Sequence, residues 1–387
     1  MTNILKSTLL LLFTVGFFAS CSDDNGSNPI LKSPTTFHLN TPALATNGVY
    51  DLANSNVVEL TCTQPDYGFP AVTKYTVQVA TKQDMSDSIN LPTTYTTAKI
   101  QINALDLASN LTTMKLAQGL TEQDFPVDMP VYLRLKANQL TADGTAIPGM
   151  EILSNVVTLK DVHLLFSLPP VKLPTHIYVT GSFNGWSWDT ALDMVPVYGT
   201  DGIFWHLVYI DNSGIKFNTA TAWDGGQVGF SNITIDDASE LKSQIVDGGG
   251  NIASNTPGWY LMVVQCTLDG RNIRYKVTFN KPNVYIMGPV TVKGDWSELE
   301  DAALMTVPTD ANGQFVSPAF SKSVPGGTGD GVRAYVKVPG FDWWKAEFMI
   351  FSGKIVYRGK GVDQDHVAGT AGQSLYLNFT NETGEIK

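Results

Sequence analysis

The chain has 387 residues, 43% of them apolar, enough to bury sizeable cores without disulfide or metal staples. Its formal net charge of -11, with only 25 Lys and Arg and no basic cluster, excludes nucleic acid and an anionic membrane face as natural ligands. An uncharged partner fits better.

The first stretch, "MTNILKSTLLLLFTVGFFASC", carries Lys6, an apolar run and then Cys21, the pattern of a secretory signal too short to span a bilayer as an ordinary helix. Phe18-Ala19-Ser20 before Cys21 resembles a bacterial lipoprotein processing site. That resemblance makes 1–20 a signal peptide and Cys21 the lipidated first residue, so that membrane contact is through the lipid anchor alone. "SDDNGSNP" resembles the acidic export signal of surface-exposed lipoproteins, and 21–33 reads as a flexible tether. Cys62 and Cys266 remain, far apart in strand-like runs. They read as small buried apolar residues, not as ligands, nucleophiles or a disulfide framework.

Short β-branched and aromatic runs bounded by Gly, Pro, Asn and Asp then dominate: "KYTVQVA", "VYLRLKA", "HIYVTG", "FWHLVYI", "YLMVVQC", "VYIMG" and "LYLNF". They predict an all-β chain of tandem β-sandwich domains. Only "LDLASNLTTMKLAQGL" and "DDASELKSQI", from Asp236, look helical. Residues 34–168 alternate like an immunoglobulin or fibronectin III module, and "SLPPVKLPT" at 167–175 is a Pro-rich linker.

Past that break the sequence repeats. "HIYVTG" (176–181) matches "NVYIMG" (283–288), and each is followed by a Trp-bearing loop, "SFNGWSWD" or "PVTVKGDWSELED". "LDMVPV" then matches "LMTVPT", and "IKFNTATAWDGGQVGF" matches "VKVPGFDWWKAEFMIF" with seven residues from Lys216 to Trp223 and seven from Lys337 to Trp344. Two strand-turn-strand segments close the match. The expected domains are homologous β-sandwiches at 171–281 and 282–387.

All eight tryptophans lie beyond residue 185. Trp205 and Trp259 sit in continuous apolar runs and read as core. Trp186 and Trp296 sit in polar turns, where an exposed indole offers a rigid apolar face with a polar edge, suited to stacking on a sugar. The candidate sugar-binding sets are Trp186, Lys216 and Trp223, and Trp296, Lys337 and Trp344, each Lys acting as a donor to hydroxyls. Trp343 aligns with Ala222 and is left for packing. Trp188 shares a face with Trp186 if the segment is a strand, and not if Gly185 makes it a loop.

Catalysis finds little support: the five histidines are scattered, no G-x-S-x-G elbow occurs, and no metal or cofactor pattern is present. Together, the Cys21 processing site, the fibronectin-like first domain and the tandem "[IV]-Y-[IV]-x-G…GW" repeats resemble the SusE/SusF family. That resemblance implies a non-catalytic, surface-exposed outer-membrane lipoprotein binding starch, maltooligosaccharides and other α-glucans. It also implies work beside an outer-membrane importer and companion glucan-binding lipoproteins. Two other readings stay open: a structural or adhesive sandwich-repeat protein, and a surface glycosidase with paired carboxylates, which obey no sequence spacing rule.

Overall fold

The computed structural model describes residues 30–69, 72–361 and 365–387. Cys21, the signal segment and most of the expected tether lie outside the described residues. The chain divides into two compact units, 1–169 and 170–387, and the boundary falls inside the Pro-rich linker.

In the first unit the strands are β1 (Tyr50–Asp51), β2 (Val57–Thr61), β3 (Thr73–Ala80), β4 (Ile89–Tyr95) and β5 (Lys99–Asn103), then helix α1 (Ala104–Ala117), then β6 (Val127–Leu140), β7 (Ala146–Leu153) and β8 (Val157–Leu164). One sheet runs β1-β8-β6-β3-β4 with β7 beside β6, and β2 pairs with β5 in a second. The two sheets and the helix close on one core, because β2, β5 and β6 alternate buried and solvent-facing residues and α1 buries Leu107, Ala108, Leu111 and Met114 along one side. Asn103 starts the helix by accepting the Asp106 N–H at 3.1 Å. The helix-like patch from Leu105 is thus a true helix inside an otherwise β unit. Cys62 is a buried free thiol, and burial pushes it up to about 11.

The second unit holds β9 (Tyr178–Gly181), β10 (Leu192–Asp193), β11 (Val195–Pro196), β12 (Ile203–Ile210), β13 (Ile215–Asn218), β14 (Ile233–Ile235), β15 (Ile245–Asp247), β16 (Ile252–Ser254), β17 (Gly258–Asp269) and β18 (Asn272–Asn280). It continues with β19 (Val284–Met287), β20 (Phe315–Val316), β21 (Arg333–Val336), β22 (Glu347–Phe351), β23 (Lys354–Tyr357), β24 (Leu375–Asn378) and β25 (Thr383–Ile386). The first repeat is a sandwich of β10-β9-β13-β16-β15 on β11-β12-β17-β18-β14. The second is built on one sheet, β19-β21-β22-β23-β25-β24-β20. "DDASELKSQI" forms no α-helix. The Asp236 and Leu241 N–H groups bond to the Val277 and Phe279 carbonyls, tying the chain along β18 and leaving only a 3-10 turn at Lys242–Gln244.

The continuous apolar runs of β12 and β17 have a tertiary cause. Phe204, Val208, Tyr260 and Met262 face the first repeat's own core, while Trp205, Leu207, Trp259 and Leu261 join the core of the second repeat. Both faces are buried, so polar-apolar alternation disappears. Trp205 is 0% exposed and meets Tyr357 edge-on at 5.6 Å. Polar contacts run along the same seam: His206 Nε2 lies 3.2 Å from Glu382, and the Trp259 indole donates to the Asp310 carbonyl at 3.1 Å. At Gly359 a Cβ would fall 1.8 Å from the Pro196 oxygen, so only glycine permits that backbone contact between the repeats. Cys266 is buried and free, with its thiol pushed by burial up to about 12.

Candidate functional site

In the first repeat, Val179 of β9 and Phe217 of β13 face the core, which turns Thr180 and its partner Lys216 to the outer face. Loops at this face are pinned by side-chain amides. The Thr180 hydroxyl donates to Asn184 Oδ1 at 2.9 Å, and the Asn184 amide donates to the Ser187 and Thr190 carbonyls at 2.8 and 3.0 Å. Trp186 rides on this net with φ of 63°. A bulky residue in the left-handed region costs about 1–3 kcal/mol and persists only where its surroundings enforce it. The second loop hangs on Asn218, whose amide donates at 3.0 Å to the Ala222 carbonyl and to Asp224 Oδ1. The Gly226 N–H, then Asn218, hold the Asp224 carboxyl below its usual 3.8.

These loops bring Trp186 and Trp223 to 6.5 Å between ring centroids, tilted by 35°. Trp223 is 57% exposed. Trp188, only 7% exposed and in a 3-10 turn, meets Trp223 edge-on at 5.2 Å and serves as its support. Lys216 is half-buried, and its ammonium has no hydrogen bond or ion pair among the described residues. The result is an open cradle of two apolar faces, with Lys216 on the neighbouring strand β13.

In the second repeat, strand pairing changes the expected set. Met287 faces Arg333 across β19 and β21 as Thr180 faces Lys216 across β9 and β13, and both pairs stand just before the shared glycine, Gly288 or Gly181. Arg333 is therefore the counterpart of Lys216. Its guanidinium lies 5.3 Å from the Trp296 ring centroid and also donates to the buried Glu347 at 3.2 Å and to His366. Arg358 grips the other Glu347 oxygen. Trp296, 47% exposed, lies over Gly288, where a Cβ would come within 2.8 Å of the ring.

The ring beside Trp296 is Trp343, at 5.7 Å and 13°, nearly parallel. The Trp343 main-chain N–H donates to Glu298 Oε1 at 3.0 Å, and Tyr335 supports the ring edge-on at 5.9 Å. Lys337 stands behind this arrangement, paired with the other Glu298 oxygen and donating to the Phe341 carbonyl at 2.7 Å. Trp344 points elsewhere, meeting Tyr198 at 5.9 Å with Arg358 5.0 Å from both rings.

The expected neighbours of Trp296, Lys337 and Trp344, are thus corrected to Arg333 and Trp343, while Trp186 and Trp223 do meet and Lys216 stands on the strand beside β9. The physical reason is register. "GVRAYVKV" contains Val332-Arg333 and Val336-Lys337, either of which mimics Ile215-Lys216, and the seven-residue spacing favours the second. The strand ladder selects the first, and the longer loop of the second repeat then delivers Trp343. Aligning the cation by its distance from the shared glycine's partner strand, not from the tryptophan, would have found Arg333.

Repeated β-sandwiches that present paired, half-exposed tryptophans beside a cation define a carbohydrate-binding class of protein. A model of "SusF/SusE starch specific CBMs" matches residues 176–276 and 283–385, and one of "SusE outer membrane protein" matches 23–136. The chain belongs to the SusF/SusE family. It is 40% identical over 235 residues to the outer membrane protein SusF of Bacteroides thetaiotaomicron, a match covering 57% of this chain and 45% of that protein. The chain thus spans about half the length of this relative. The crystal structure of SusF from the same organism superposes with a TM-score of 0.49 at 23% identity, over 91% of this chain and 99% of that one.

Proposed function

We propose that the protein is a non-catalytic starch-binding outer-membrane protein that holds α-1,4-glucans, maltooligosaccharides included, on two tryptophan platforms. The carrying observation is the pair of indoles in each repeat, 6.5 Å apart in the first and 5.7 Å in the second, with Arg333 over the Trp296 ring. Pyranose C–H faces stack on the rings, and Lys216 or Arg333 donates to hydroxyls. The tilt of Trp186 against Trp223 suits a polymer whose successive sugars turn.

Lipid on Cys21 anchors the chain, and retention is its role. A second contact to the same polymer is intramolecular, so two weak sites in one compact unit raise apparent affinity without new contacts. An importer and companion lipoproteins then take the retained glucan. A glycosidase needs an available pair of carboxylates, whereas the most buried carboxylate near the second platform, Glu347, is neutralised by two arginines. A purely adhesive or spacer role leaves the exposed tryptophans without a purpose.

Affinity electrophoresis of the full chain through gels with and without starch tests this reading. Retardation by starch should weaken in Trp186→Ala/Trp223→Ala and in Trp296→Ala/Trp343→Ala, and vanish when all four are changed, with thermal melts unchanged. Starch that retards nothing, or the fourfold variant as strongly as the parent, would reject it.

A further inference from the structure

Behind the second platform the two repeats enclose a cleft of about 320 Å³ that neither ring pair accounts for. Glu240 and Asn280 reach it from the first repeat, and Asn283, Tyr285, Leu299 and Lys337 from the second. Its wall is continuous with the supports of Trp343. Lys337 pairs with Glu298, which accepts the Trp343 N–H. The Leu299 N–H donates to the Tyr335 hydroxyl at 2.8 Å, and Tyr285 stacks on Tyr335 at 5.4 Å, the ring that meets Trp343 edge-on.

The lining combines a tyrosine and aliphatic floor with amide, carboxylate and ammonium groups at the rim, the mixture that a sugar ring requires. Its size lies at the small end for ligand sites, room for about one or two pyranose rings. Asn283 is half-buried, and its amide makes only a long contact, 3.4 Å, to the Tyr285 hydroxyl. Glu240 is exposed, with one carboxylate oxygen accepting the Lys281 N–H at 3.0 Å and the other without a hydrogen bond among the described residues.

We infer that this cleft is an additional glucosyl subsite, built jointly by the two repeats, which takes the part of an α-glucan chain that runs past the Trp296/Trp343 platform. The inference rests on the proposed starch-binding role of that platform. It makes the second site longer than the first and sensitive to chain length, because a short oligosaccharide occupies the rings alone while a longer one reaches Asn283 and Glu240.

Calorimetric titration of the full chain carrying Trp186→Ala/Trp223→Ala isolates the second site, with maltotriose and maltoheptaose as ligands. Maltoheptaose should bind more tightly than maltotriose, and adding Glu240→Ala/Asn283→Ala should weaken maltoheptaose by roughly five- to tenfold while leaving maltotriose unchanged. Separately, Asn283→Trp fills the cleft and should give the same flattening if the double variant melts early. Equal loss for both ligands, or an undiminished preference for maltoheptaose in both variants, overturns the subsite and leaves the platform standing. Failure of either sugar to bind in the parent background, or binding that survives Trp296→Ala/Trp343→Ala, removes the platform reading and the subsite with it.

Discussion

The two aromatic sites descend from one sequence pattern but are held differently. In the first repeat the rings are splayed by 35°, Lys216 has no ion pair among the described residues, and the support beneath is another tryptophan, Trp188. In the second the rings lie within 13° of parallel, and the cation over Trp296 is tied through Glu347 to Arg358 and so to Trp344 at the seam between repeats. The first site is therefore local, made by two loops and their amide caps. The second is wired into the shared core. A perturbation of packing should reach the second platform and spare the first.

The strongest way to break this comparison is Glu347→Ala. It removes the buried carboxylate that two half-buried arginines share, at a cost of about 3–5 kcal/mol. Urea unfolding should show that loss, and glucan titration should find the second site impaired more than the first; equal impairment would mean the wiring does not exist. Next come the ring pairs. Trp186→Ala/Trp223→Ala and Trp296→Ala/Trp343→Ala should each remove about 2–4 kcal/mol of binding at their own site, as buried aromatic anchors do, with little change in melting temperature.

Lys216→Met should cost about 0.5–1.5 kcal/mol at the first site and nothing in stability, since this ammonium has no ion pair among the described residues. If unfolding shifts as well, Lys216 has a structural role. The acid response should be shared by the two sites. Main-chain N–H groups of Gly226 and Ser297 hold Asp224 and Asp295 below 3.8 in the folded chain. Their contribution is thus present above that value and fades as pH falls through the depressed folded values. Tryptophan fluorescence of either site, isolated by removing the other pair, should stay flat down to about pH 3.8 and change below it. The smallest effect distinguishes neighbours: Trp344→Phe should leave glucan affinity within error, whereas Trp343→Ala should not. A reversal would restore Trp344 as the platform.

Much of this was legible in the residues. β-branched runs between turn formers specify strands, because alternation and turn chemistry act over a few residues. Gly181 and Gly288, with the strands before them, mark the repeats. Buried Cys62, Cys266, Trp205 and Trp259 follow from the apolar runs that hold them. The meeting of Trp186 with Trp223 was readable because each indole lies in a short polar loop directly after a strand of the same sheet.

What only the tertiary structure decided is everything set by pairing across sequence distance. "GVRAYVKV" offers two equal basic positions, and only the ladder of β21 on β19 places Arg333 and not Lys337 over Trp296. Which of two adjacent tryptophans lies against Trp296 depends on a 3-10 turn at Trp343–Ala346, where successive side chains diverge, and on Tyr198 from the other repeat receiving Trp344. That two repeats share one core was hinted at by the missing alternation in β12 and β17, yet what covers their second face is not a local property. Short-range preferences choose the elements, while long-range packing chooses which side chains meet.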